Sequence, residues 1–410
     1  MRVKPAKKPA AQTLDPLRNA RRVIVKVGSA LIVDAHSGRL NRTWLESLVD
    51  DLLRLRRRGQ QVILVSSGAI ALGRRQLGLA SGTLRLEESQ AAAAVGQIRL
   101  AHLYKELFEA HEVAVAQVLL TLEDSEQRTR YLNARGTLEA LLKLGAMPVI
   151  NENDTVATAE IRYGDNDRLA ARVAQMISAD CLVLLSDVDG LYTADPNQAA
   201  TQPVAPRAVT KRAAAKGSSP VAEFIAQVAQ ITPAIDAMAG GSVSNLGTGG
   251  MATKIAAARI AVGAGCHMCI APGGHEHPLL RLESGARCTW FLPSSTPVAA
   301  RKQWIAGTLR PAGTVQIDAG ALRALMSGKS LLPAGVVGTR GQFDSGDTVS
   351  VMGMDGVEVA RGIAGYSDAE TAKIRGRRSA DIETLLGYRG REELIHRDDL
   401  VISQPRELTA

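Results

Sequence analysis

The sequence predicts an α/β fold on a parallel-rich, buried sheet, followed by a smaller and mostly β unit. Three observations predict it. From residue 22 onward, short apolar runs alternate with stretches of helical period, the order expected of βαβ units. Near residue 293 that alternation thins out and closely spaced glycines take over. The composition also permits a core of this size, because 410 residues with 46% hydrophobic and 22% charged side chains describe an ordinary globular chain. Disordered and fibrous classes are excluded, and the length suits two or three domains.

The strand candidates are residues 23–27 (VIVKV), 62–65 (VILV), 113–120 (VAVAQVLL), 148–150 (PVI), 182–185 (LVLL) and 268–271 (MCIA). Helical stretches separate them. The clearest is 43–58, whose apolar residues at 45, 48, 49, 52, 53 and 55 form one face of a helix. In the later unit, residues 348–360 read TVSVMGMDGVEVA, two strand-like runs around Asp355-Gly356, a hairpin signal. Glycines at 335, 338, 341, 346, 353, 356, 362 and 365 have the spacing of a small β-barrel. The chain therefore divides into a basic, disordered tail at 1–21, an α/β domain at 22–293 and a β-barrel-like domain at 294–410. Residues 197–222, with prolines at 203, 206 and 220, read as a surface excursion.

No run approaches the ~18 apolar residues of a membrane-spanning helix. The start, MRVKPAKKPAAQ, is basic but lacks an apolar h-region and a cleavage site, so no secretory signal and a cytoplasmic protein are expected. Cysteines at 181, 266, 269 and 288 are too few to staple such a chain, and the CxxC at 266–269 has no second pair at zinc spacing. Reduced thiols and no metal site are expected. The net charge of +8 belongs to the tail: seven of the 49 Lys/Arg but only one of the 41 Asp/Glu fall in the first 22 residues. A body-wide nucleic-acid footprint is not supported.

In an open α/β sheet, ligands bind beyond the carboxyl ends of the strands, and the unusual residues of this chain follow the strand candidates. Lys26 lies inside an apolar run, where it either reaches solvent at a strand edge or pairs with a phosphate or carboxylate. Ser66-Ser67-Gly68 opens a small-residue turn that can expose backbone N–H groups to an anion. After PVI come Asn151-Glu152-Asn153-Asp154, more amide and carboxyl groups than a packing loop needs. Asp165-Asn166-Asp167 precede a helical pattern, where one N-cap would suffice. Ser186 and Asp187 follow LVLL, and LGTGGMATK at 246–254 reads as a flexible phosphate-contacting loop that enters a helix at 255. Three apparent motifs fail: 247–252 fits G-x-G-x-x-A without a preceding buried strand, Lys254 has the wrong spacing for a Walker A loop, and His396-Arg397-Asp398 stands too near the end of the chain for a protein-kinase catalytic loop.

Together KVGS at 26–29, SSGAIALG at 66–73, INENDTVATAEIRYGDND at 150–167, LSDVDGLYTADP at 185–196 and GTGGMATK at 247–254 resemble the glutamate 5-kinases of the amino-acid kinase family. SLLPAGV at 330–336 and GQFDSGDTVSV at 341–351 resemble the PUA domain appended to bacterial members. The resemblance runs from about residue 22 to residue 399. It implies a parallel-rich sheet sandwiched by helices, and ATP-dependent phosphorylation of the γ-carboxylate of L-glutamate, the first step of proline biosynthesis, with ATP and Mg²⁺ as cofactors. It also implies that Lys26 and Lys254 contact ATP phosphates, with Thr248, Gly249, Gly250, Met251, Ala252 and Thr253, and with Ser186 and Asp187 on the nucleotide. Ser67, Asp154 and Asn166 match glutamate-binding positions, and Asn151 and Asp165 extend that set. Asp167 matches the catalytic aspartate that holds the lysines. A homo-oligomer inhibited by proline, and functional coupling to glutamyl-phosphate reductase, are further implications. The sequence departs from the common pattern at Ser186, at Ala252, in the 197–222 insertion and in the tail; none of these is a charged site residue. Two other readings are another amino-acid kinase with a different acidic acceptor, and an RNA-binding protein. The first is opposed by the NEND and GDND runs. The second is opposed by fifteen Lys/Arg against fourteen Asp/Glu in 294–410.

Overall fold

The computed structural model describes residues 15–34, 39–79, 82–156, 166–194, 196, 222–239, 250–307 and 310–403. Asp165, Thr248, Gly249, residues 1–14 of the expected tail and nearly all of the 197–222 segment lie outside them; the rest of that tail is ordered, because Pro16–Asn19 form a helical turn that buries Leu17 in the core.

The apolar runs become strands β1 (Arg22–Val27), β2 (Gln61–Ser66), β3 (Val115–Leu120), β4 (Met147–Glu152) and β5 (Cys181–Ser186). A two-stranded ribbon, β6 (Leu191–Tyr192) and β7 (Phe224–Ile225), follows, and then β8 (Gln227–Val228), β9 (His267–Pro272) and β10 (Thr289–Phe291). The main sheet has the order β3-β4-β2-β1-β5-β9-β10-β8. It is parallel from β3 to β9, and only β10 runs antiparallel to β9.

Helices cover both faces. They are α1 (Arg42–Arg57), α2 (Ala69–Gln76), α3 (Leu86–Glu109), α4 (Arg128–Lys143), α5 (Asn166–Met176) and α6 (Met251–Gly263). Successive side chains of a strand point to opposite faces. Val23, Val25 and Val27 of β1 therefore join one core with α1 and α3, while Ile24 joins the other with α5 and α6. The same alternation puts Lys26 on the α5–α6 face.

A second sheet carries its own core. Its strands are β11 (Gly313–Ile317), β12 (Val336–Gly341), β13 (Thr348–Met352), β14 (Glu358–Ile363) and β15 (Leu400–Ile402), in the order β12-β11-β13-β14-β15. β13 and β14 form the expected antiparallel hairpin. Gly356 takes φ 76° in the turn, where Asp355 accepts a hydrogen bond from the Val357 N–H at 3.1 Å. Between the sheets, α7 (Pro297–Ala306) packs on β14 and β15. Asp399, buried at the start of β15, pairs with Arg135 of α4 at 3.2 Å and with Arg301 of α7 at 2.7 Å.

Three readings of the sequence need adjustment. Asn151 and Glu152 are the last residues of β4, not the start of a loop, because the parallel neighbour β3 pairs with them through Leu119 and Leu120 and keeps the strand extended past its apolar part. Ser186 likewise ends β5. Met251, Ala252, Thr253 and Lys254 form the first turn of α6 behind Gly250, so the glycine-rich segment becomes helical four residues earlier than its composition suggests. Among the described residues no helix is long and apolar enough to cross a membrane.

Candidate active site

Two helices begin at the carboxyl edge of the sheet, on the face where Lys26 emerges. α5 and α6 approach closely because they meet through small side chains: Ala170, Ala171 and Ala174 of one, and Ala257, Ala258 and Ala261 of the other, are all buried. Their first turns are thereby brought to the head of Lys26. Asp167, in the first turn of α5, lies 2.6 Å from Lys26 Nζ through Oδ1 and 3.1 Å from Lys254 Nζ through Oδ2. Thr253 Oγ1 lies 3.4 Å from the same Oδ2 and donates to the Gly250 carbonyl at 2.8 Å.

All three charged groups are buried, at 6% exposure for Lys26, 1% for Asp167 and 5% for Lys254. Burial alone would raise the pKa of Asp167, but the two ammonium groups beside it hold the value below the ordinary carboxylate range. The carboxylate stays ionised between the two ammonium groups. The N-terminus of the thirteen-residue α6 adds its positive dipole end. Gly28 borders the lysine head, since a Cβ there would stand 4.0 Å from Lys26 Nζ and 3.8 Å from the Leu185 carbonyl oxygen.

Asn166, one residue before Asp167, faces the other way. Its Nδ2 donates to Ser67 Oγ at 2.8 Å and to Asn151 Oδ1 at 3.0 Å. Asn151 Nδ2 in turn donates to Gln97 Oε1 of α3 at 2.8 Å. Ser67 sits where β2 turns into α2: its N–H donates to the Val27 carbonyl, and Gly68 takes φ 108° as the helix begins. Ser66 shares a 2.9 Å hydrogen bond with the buried Tyr104 hydroxyl, which braces this turn from α3. The first turn of α5 is thus a joint between a cationic half and an amide-hydroxyl half.

Asp154 is buried three residues beyond Asn151, and burial pushes its carboxyl pKa up to about 6. Ser186 ends β5 opposite Pro272 of β9, and its hydroxyl donates to Asp187 Oδ1 at 2.9 Å. The structure therefore brings Lys26, Asp167, Thr253 and Lys254 together, and separately Ser67, Asn151 and Asn166. It records no bond from Ser186 or Asp187 to either group among the described residues. Gly250 is the N-cap of α6, and Met251 and Ala252 lie in its first turn. Sequence reasoning missed Gln97 and Tyr104. Gln97 stands alone among small residues in AAAAVGQ, and only the contact across 54 residues gives it meaning.

The model of the amino acid kinase family matches residues 21–272. This chain belongs to that family. A PUA domain model matches residues 313–386. Among curated proteins, the chain is 57% identical over 389 residues to the glutamate 5-kinase of Paramagnetospirillum magneticum, covering 95% of this chain and 100% of that one. It is 56% identical to glutamate 5-kinase 1 of Rhizobium meliloti, covering 95% of this chain and 94% of that one. It is also 56% identical to glutamate 5-kinase of Agrobacterium fabrum, with 95% of each chain covered. Buried, fixed ammonium groups of this kind can stabilise charge on phosphoryl oxygens without reorganising, and the amide half presents neutral polar groups that can accept and donate hydrogen bonds to a polar ligand.

Proposed function

We propose that this kinase transfers the γ-phosphoryl group of ATP to the side-chain carboxylate of L-glutamate, forming L-glutamyl 5-phosphate, the first step of proline biosynthesis. The observation that carries the reading is the joint at α5, which sets Asn166 into the amide half and Asp167 between two buried lysines in adjacent positions. The names of the relatives at 56–57% identity agree with it.

The acceptor carboxylate, with an ordinary pKa near ~4.3, is already ionised at neutral pH, so no general base is required. The obstacle is repulsion between that carboxylate and the ATP phosphates, and positioning with positive charge removes it. Lys26 and Lys254 flank the transferring group, and Asp167 holds both in place. The acceptor oxygen forms a bond to phosphorus, the bond to the ADP oxygen breaks, and an acyl phosphate leaves with ADP. Ser67, Asn151, Asp154, Asp165 and Asn166 hold glutamate. Ser186, Asp187 and the segment from Thr248 to Lys254 hold the nucleotide. Lys26 and Lys254 around the single carboxylate of Asp167 are a donor set that fits phosphate oxygens; Mg²⁺ would arrive with the nucleotide and would supply further neutralisation of phosphate charge.

The same reading assigns catalysis to 22–293 and a PUA-like role to 294–410, in a cytoplasmic homo-oligomer. It couples the product to glutamyl-phosphate reductase, because an acyl phosphate is short-lived in water. The test is ATP turnover with glutamate, aspartate or N-acetylglutamate, with hydroxylamine trapping the acyl phosphate. Hydroxamate with glutamate is expected; turnover with another acceptor and none with glutamate would overturn the reading.

A further inference from the structure

A side-chain amide has two N–H donors and one carbonyl acceptor at opposite ends. Asn166 commits both donors, to Ser67 Oγ and to Asn151 Oδ1. Its own Oδ1 is buried and has no hydrogen-bond partner among the described residues, in a side chain only 3% exposed. Leaving a buried acceptor unpaired is costly, so this oxygen is set to receive a donor from a ligand. Its direction follows from its neighbour. Because Asn151 turns its oxygen to Asn166, its Nδ2 must point the other way, and there it meets Gln97 Oε1 at 2.8 Å. Each amide passes its orientation to the next, and the series ends at Gln97.

α3 holds Gln97 firmly. Its neighbour Gly96 crosses α2 backbone to backbone: a Cβ on Gly96 would fall 1.8 Å from the Ala69 carbonyl oxygen and 2.6 Å from the Gly73 nitrogen. The helix therefore cannot slide without disturbing the turn that carries Ser67.

We propose that Gln97 is a positioning residue that sets the polarity of the Gln97–Asn151–Asn166–Ser67 relay and thereby selects an acceptor bearing an α-ammonium group. With Oε1 of Gln97 accepting, Asn166 offers Oδ1 to the ammonium, and Ser67, already accepting from Asn166, turns its O–H toward the acceptor's carboxylate. A zwitterion needs this pairing of one acceptor and one donor. The inference rests on the reading that the acceptor is an amino acid, and it concerns a residue that touches neither substrate nor phosphate.

The test is steady-state kinetics of the full-length chain carrying Gln97→Glu, Gln97→Met or Gln97→Lys, with thermal midpoints measured alongside. Glu keeps an acceptor toward Asn151, and the glutamate KM should stay within about threefold of wild type. Lys places a donor there; Asn151 reverses and sets its Nδ2 against that of Asn166. The glutamate KM should then rise at least about tenfold, as for a lost buried hydrogen bond, while the ATP KM and kcat stay within about threefold because only ground-state binding is affected. Met removes the acceptor without adding charge, and it decides the matter against Glu if the Lys variant does not fold: its KM should exceed that of the Glu variant by about threefold or more. Equal KM values for the Glu and Met variants, or an ATP KM rising in parallel, would overturn the relay. A wild-type enzyme that leaves glutamate untouched would overturn the functional reading instead, so the two failures are distinct.

Discussion

Asp167 and Lys254 illustrate how much a single side chain carries when it is buried in a charged group of three. Lys254 contacts Asp167 at 3.1 Å from the first turn of α6. Lys254→Ala removes one preorganised cation, and kcat should fall by roughly 10² to 10³, more than the glutamate KM changes; initial-rate kinetics at saturating ATP measure both. Asp154 carries a pH signature. Its folded-state pKa of about 6 lies above the ordinary 3.8, so the ligand-free fold favours the protonated acid and loses that contribution as pH rises through about 6. Pairing with a substrate ammonium requires the ionised form. The glutamate KM should therefore rise by up to about tenfold for each pH unit below 6 and level off above 7, with the ATP KM much less affected. A glutamate KM that is flat from pH 5 to 8 would remove Asp154 from the ammonium site. Of these residues, Lys26 and Asp167 were legible in the sequence because a charge in an apolar run and a surplus acid at a helix start are locally anomalous. Gln97 and Tyr104 were not, because nothing in their neighbourhood along the chain is unusual.

At the scale of elements, the α2–α3 crossing is the tightest contact near the site, with Gly73 and Gly96 facing each other's backbone. A side chain on either must separate α2, which Ser67 leads into, from α3, which carries Gln97 at its middle. Gly96→Ala should cost about 1–3 kcal/mol of stability or more by overpacking, seen as a lowered thermal midpoint, and should weaken glutamate binding more than ATP binding. An unchanged midpoint would mean that the helices part freely. The strands were the most legible elements, since β1, β2 and β5 are apolar runs buried on both faces and need no pattern beyond that. Their polar ends were misread for the same reason: Asn151 and Glu152 complete β4 through pairing with β3, an interaction that residue type does not announce. The two-residue strands β6, β7 and β8 lack enough residues to show any period.

At the scale of the whole molecule, the two sheets meet through charge. Asp399 stands 4% exposed between Arg135 and Arg301, and Asp347 of the β domain reaches Arg128 of α4 at 3.3 Å. The break in composition near residue 293 was visible in the sequence, whereas a bond between residues 264 positions apart was not. Asp399→Asn leaves Arg301 facing a neutral partner and Arg135 with Glu139, at 2.8 Å, as its remaining carboxylate. It should destabilise the protein by about 3–5 kcal/mol, the usual cost of breaking a buried pair. Differential scanning calorimetry, with turnover measured on the folded fraction, checks this; a variant as stable as wild type would show that solvent reaches the carboxylate. Replacing all three partners with apolar residues of similar volume should be far milder, because the one charge then left unmatched is the solvent-accessible Glu139. A history of drift follows from that asymmetry. Each of Arg135, Arg301 and Asp399 is barred from changing alone, yet the three are free to change together. In a library of random substitutions, neutral paths through this interface should therefore pass through rare multiple replacements, and a lesion at Asp399 should be rescued by second-site changes in the other domain.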